Sequence, residues 1–139
     1  MKSESKIGPA FWALRLGLGG TAFLAGADKF TNLLARWDKY LAPEAKKRLP
    51  TSKRKFMRAI GVVEMLVGIG ILSPRTRVAS YAAAAWLTGI AANLWLNGDY
   101  DIAVRDLNMA IAAFALGRLS SVRGHRVAGD WEQCPSQAA

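Results

Sequence analysis

Five residues offer chemistry in this sequence: Lys29, Glu64, Asn93, Arg105 and Asp106, each inside or beside an otherwise apolar stretch. A cation aimed at a carbonyl oxygen stabilises negative charge as it develops there. A neighbouring carboxylate, its proton affinity tuned by burial, can then supply or accept a proton. The same groups also admit a purely structural reading. Glu64 with Arg105, and Lys29 with Asp28 or Asp106, would be ion pairs that fix helix order without adding stability, and Arg15 joins Asp28 as a structural ion-pair candidate.

Other chemistries lack residues. The one histidine, His125, lies in a polar tail, so a haem held by two histidines inside the fold is excluded and no metal site is expected. The single cysteine, Cys134, has no disulfide partner in the chain. No strand precedes a glycine-rich phosphate loop.

The elements that must position these residues follow from segregation of charge. The 139 residues carry a net charge of +9 and are 52% hydrophobic but only 9% aromatic, with a mean hydropathy of +0.13. Charge collects at the N-terminus, in residues 36–58, in the "SPRTR" turn and after Leu116. Between these lie four apolar segments at about 8–30, 56–73, 78–96 and 101–118. The third has no charge, and therefore no polar face for water. Segregation of this kind predicts one all-α domain, an integral membrane four-helix bundle. The apolar start after Lys2 and Lys6 mimics a signal peptide and is read as the first span.

In the basic connection 31–55, Leu33, Leu34, Trp37, Tyr40 and Leu41 recur at helical spacing, which predicts an amphipathic helix lying in the membrane interface between the first two spans. Lys46, Lys47, Arg48, Lys53, Arg54 and Lys55 would then contact anionic lipid headgroups. No groove-reading motif accompanies the charge, so nucleic acid is not expected as a partner. Residues 119–139 read as a polar tail too short to fold alone. That tail, with Trp37 and Tyr40, points to protein partners in a membrane complex or a homo-oligomer.

Four antiparallel helices place the N-terminus, the "SPRTR" turn and the C-terminus at one end, side A, and the other two connections at side B. All four helices send polar groups into the side B half. Helical spacing puts Arg15, Gly19, Ala22, Gly26 and Lys29 on one face, Gly61, Glu64 and Gly68 on another, then Trp86, Gly89 and Asn93, and finally Arg105, Asn108 and Ala112. Small residues on each face indicate helix contacts. Glu64, Arg105 and Lys29 are thus expected to meet.

The order "LRLGLGGTAFLAGADKF", "MRAIGVVEMLVGIGILSPRTR", "NLWLNGDYDIAVRDLNMAIAAFAL" resembles the DoxX-like family of small bacterial four-helix membrane proteins, from about Ala13 to Arg118. The resemblance rests on Gly26-x-x-Lys29-Phe30, Gly61-x-x-Glu64-x-x-x-Gly68 and Arg105-Asp106. It implies a multi-pass protein of the bacterial inner membrane, termini cytoplasmic, associated with a redox complex. One branch resembles the membrane subunit of a thiosulfate:quinone oxidoreductase. A quinone is accordingly the one cofactor expected, its head group meeting Arg105 or Lys29 while Glu64 or Asp106 handles the proton. Electrons would come from a partner, which makes the chain at most an accessory subunit of an enzyme. The competing expectation is a structural anchor or assembly subunit with no ligand site.

Overall fold

The computed structural model describes residues 4–34, 36–40, 47 and 52–132, without the side chains of residues 4–6, 38, 53 and 124–132. Four antiparallel helices form a bundle: α1 (Glu4–Thr31), α2 (Lys53–Leu72), α3 (Thr76–Asn97) and α4 (Tyr100–Glu132). No strand occurs among the described residues. Helix α1 packs mainly on α2, and α3 on α4, so two hairpins face each other across lesser α2–α3 and α1–α4 contacts.

The α1–α2 hairpin closes through glycine. A Cβ on Gly26 would lie 2.5 Å from the Gly61 carbonyl oxygen, and one on Gly68 would lie 2.7 Å from that of Gly19. The two backbones therefore touch at two levels, as small residues allow between helices. The α3–α4 hairpin closes through alanine instead, with Ala83, Ala91, Ala103, Ala110 and Ala113 all buried.

Helix ends follow local chemistry. Ser73 terminates α2 with its N–H on the Ile69 and Gly70 carbonyls, just before Pro74. Gly98 ends α3 in the left-handed region at φ 87°, where a Cβ would be strained. Ser52 caps α2 by accepting from the Lys55 N–H.

Two expected boundaries change. Residues 31–41 do not form a continuous amphipathic helix: α1 stops at Thr31, Asn32 adopts φ 52°, and among the described residues of this segment a 3-10 turn follows at Trp37–Tyr40. The cause is Asp28, whose Oδ1 accepts from the Leu33 and Leu34 N–H groups at 2.8 and 2.9 Å and so competes with continued helix. Nor is the chain after residue 118 simply a tail, since α4 runs on to Glu132. No proline interrupts it there, and Leu119 packs on the side A core of Phe11, Leu18, Ile71, Ala83, Ala113 and Leu116.

One helical stretch, Ile7–Thr31, is long and apolar enough by composition to cross a membrane.

Candidate functional site

At the side B end the bundle buries charge. Asp28, Lys29, Glu64 and Asp106 are all buried. Gly61 lets α2 approach α1 so closely that an added Cβ would meet the Lys29 Cβ at 3.0 Å. Lys29 and Glu64 are thereby brought together, with the Lys29 ammonium donating to the Glu64 carboxylate at 2.5 Å. The same ammonium lies 3.8 Å from the centre of the Trp37 ring, a cation–π contact strengthened by exclusion of water. Trp37 is itself fixed, its indole N–H donating to Asp28 Oδ2 at 2.7 Å.

Asp28 thus organises the polypeptide around the lysine. Thr31, Leu33, Leu34 and Trp37 all donate to its carboxylate. Sequence reasoning placed Trp37 on an interfacial helix, whereas the structure sets it in a 3-10 turn against Lys29 and Asp28. Its signal was proximity to two ionisable residues that end a helix, not amphipathic spacing.

The α3–α4 hairpin supplies the opposite wall. Asp106 on α4 is buried, and Trp86 on α3 carries a buried indole N–H. That N–H completes no hydrogen bond of good geometry. Asn93 donates to the Tyr40 carbonyl at 2.9 Å and so ties α3 to the 3-10 turn.

Arg105 departs from expectation. It does not bridge to Glu64 but turns outward, its side chain 58% exposed, and pairs with its neighbour Asp106 through Nε at 2.9 Å and Nη2 at 2.8 Å. The reason is angular. Asp106 shares a face with buried Ala103, Ala110 and Ala113, whereas Arg105 lies about 100° away, as does every adjacent helical residue. Asn108, expected beside Arg105 on a packed face, is exposed, and so is Gly89 on α3.

Arg15 also differs from its expected ion-pair role. It donates to the carbonyls of Ile71, Leu72 and Ser73 at 3.1, 2.5 and 2.9 Å. A cation there satisfies carbonyls left open at the α2 C-terminus and complements the helix dipole. Of the lipid-contact candidates, Lys47, Arg54 and Lys55 are exposed, while Lys46, Arg48 and the Lys53 side chain lie outside the described residues. No group of three potential metal ligands occurs among the described residues.

The cluster is therefore closed for Lys29, which is held between Glu64 and Trp37, and, among the described side chains, open at Arg105. An open apolar groove of about 380 Å³ runs elsewhere, between α3 and α4, lined by Tyr81, Ala84, Thr88, Leu107, Ile111 and Phe114 among others. In comparisons with known proteins, no family model, curated protein or solved structure matches the chain.

Proposed function

We propose that the chain is a multi-pass membrane protein that serves as a structural subunit, holding a larger assembly in a bacterial inner membrane in the manner the DoxX-like resemblance implies for redox complexes. The observation that supports it is the inverted radial order of the bundle. Asp28, Lys29, Glu64, Thr76, Ser80 and Asp106 are buried, while Leu16, Leu66, Ile69, Val78, Leu96 and Ile111 are each more than half exposed. A four-helix bundle in water turns its apolar stripe inward and rarely exposes continuous apolar surface on this scale. In a bilayer that outer surface needs no cover, and each helix, at 28, 20, 22 and 33 residues, is long enough to cross. The inner charges then act as an ordering device, because Lys29 and Glu64 satisfy each other. Alkaline carbonate washing of membranes tests the reading. Retention is expected; release into the supernatant would end it.

A second reading, a quinone head-group site, draws on Arg105. Its guanidinium is outward and keeps donors beyond those bound to Asp106, whose carboxylate could exchange a proton with a carbonyl oxygen held there. On this reading quinone binding to the purified chain falls in Arg105→Gln and less in Glu64→Gln. If the wild type binds none, with or without partners, the anchor reading stands alone.

A further inference from the structure

We propose that the side A end binds the phosphate of an anionic phospholipid, through Arg15 and Arg123 gathered around Phe11. The inference rests on the membrane reading and concerns the end opposite to the basic connection.

Among the described side chains, side A presents Arg15, Arg75, Arg77, Arg118 and Arg123 and no carboxylate. Two of these guanidiniums converge on one ring: Arg123 Cζ lies 4.5 Å and Arg15 Cζ 5.8 Å from the centre of Phe11. Like charges held close together repel unless an anion sits between or beside them. Arg123 Nη1 is buried with no hydrogen-bond acceptor among the described residues, and a buried donor of this kind is costly until matched. Arg15 spends Nε and Nη2 on the carbonyls ending α2, leaving Nη1 outside those bonds. Arg75 follows two residues after Ser73, the last of those acceptors.

The cations among the described side chains at this end are all arginine. Planar guanidiniums match phosphate oxygens in pairs of parallel hydrogen bonds, which lysine cannot do. Beside them the surface turns apolar, with Trp12 47% and Leu16 59% exposed, and Arg15 Cζ lies 4.9 Å from the Trp12 ring. Tryptophan at headgroup level above an aliphatic flank is the usual arrangement at a membrane boundary. A charged head above an apolar chain describes one phospholipid molecule, which an acidic peptide does not match.

The test uses the full chain in neutral detergent and native mass spectrometry, with dioleoylphosphatidylglycerol, dioleoylphosphatidylcholine or inorganic phosphate added in separate arms. The wild type should retain phosphatidylglycerol over phosphatidylcholine, and Arg123→Gln should weaken that retention about tenfold, the usual scale for losing a charged hydrogen bond. Arg123→Lys should restore only part, and Arg54→Gln with Lys55→Gln at side B should change little. Circular dichroism verifies that each variant is folded. Equal retention by wild type and Arg123→Gln overturns the proposal, as does loss confined to the side B variant or retention of inorganic phosphate without lipid. Carbonate washing is read separately. Release of the wild type ends the membrane reading, whereas an integral wild type with unaltered lipid binding in Arg123→Gln ends only the lipid site.

Discussion

The two halves of this bundle are held by different forces. In the side A half, Phe11, Leu18, Ile71, Ala83, Ala113 and Leu116 interlock by shape, and among the arginines at that end Arg15 binds backbone carbonyls. In the side B half, buried charge does that work inside the hairpins, Lys29 pairing with Glu64 between α1 and α2 while Asp106 lies buried on α4 and pairs with Arg105. Shape complementarity tolerates small changes by local collapse, but a buried charge has no such recourse once its partner is gone. The same four helices therefore combine an adaptable end with an unforgiving one.

That contrast can be broken or sharpened by substitution, with stability followed by denaturant titration of the detergent-solubilised protein. The largest effect is expected from Glu64→Ala, which strands the Lys29 ammonium and should cost about 3–5 kcal/mol. Glu64→Leu combined with Lys29→Met should recover most of that loss, because an apolar pair carries no desolvation penalty. A double variant as unstable as the single one would show that the pair does more than balance charge.

At side A, Leu116→Ala should cost about 2–4 kcal/mol through the cavity it leaves at a fully buried position. A cost below that of Glu64→Ala is what the comparison requires; the reverse order would overturn it. Within the side B half, Gly61→Ala would push a Cβ to within 2.6 Å of the Gly26 carbonyl oxygen, an overpacking worth about 1–3 kcal/mol. Gly17→Ala meets nothing within 4 Å and should stabilise by up to about 1 kcal/mol, through helix propensity alone. The smallest effect is expected from Trp37→Phe. It keeps a ring over Lys29 but drops the hydrogen bond to Asp28, a loss of about 1 kcal/mol, read most sensitively as faster hydrogen exchange at Leu33 and Leu34.

Several features were legible in the residues before any tertiary contact was known. Gly19, Gly26, Gly61 and Gly68 recur at spacings that keep each pair on one helical face, and the structure brings them into backbone contact across α1 and α2. Lys29 and Glu64 share those faces and meet. The illegible part lay where adjacent residues compete. Arg105 and Asp106 are both ionisable, and spacing to Asn108 and Ala112 suggested the wrong one. Only the packed alanines at 103, 110 and 113 select Asp106 for the interior. Likewise, a helical pattern through 31–41 conceals that Asp28 can take the N–H groups beyond Thr31 for itself.

By itself the sequence determined four helices, their order and the two glycine faces of the first hairpin. These depend on periodicity, on Ser52, Ser73 and Gly98 at helix ends, and on charge segregation, all local along the chain. Tertiary structure alone decided which charges are partners. Rotation about each helix axis, and the side of the bundle on which a residue falls, emerge only when all four surfaces pack at once. A side chain's partner is then fixed by a sum of contacts from three other helices, which no single helix encodes.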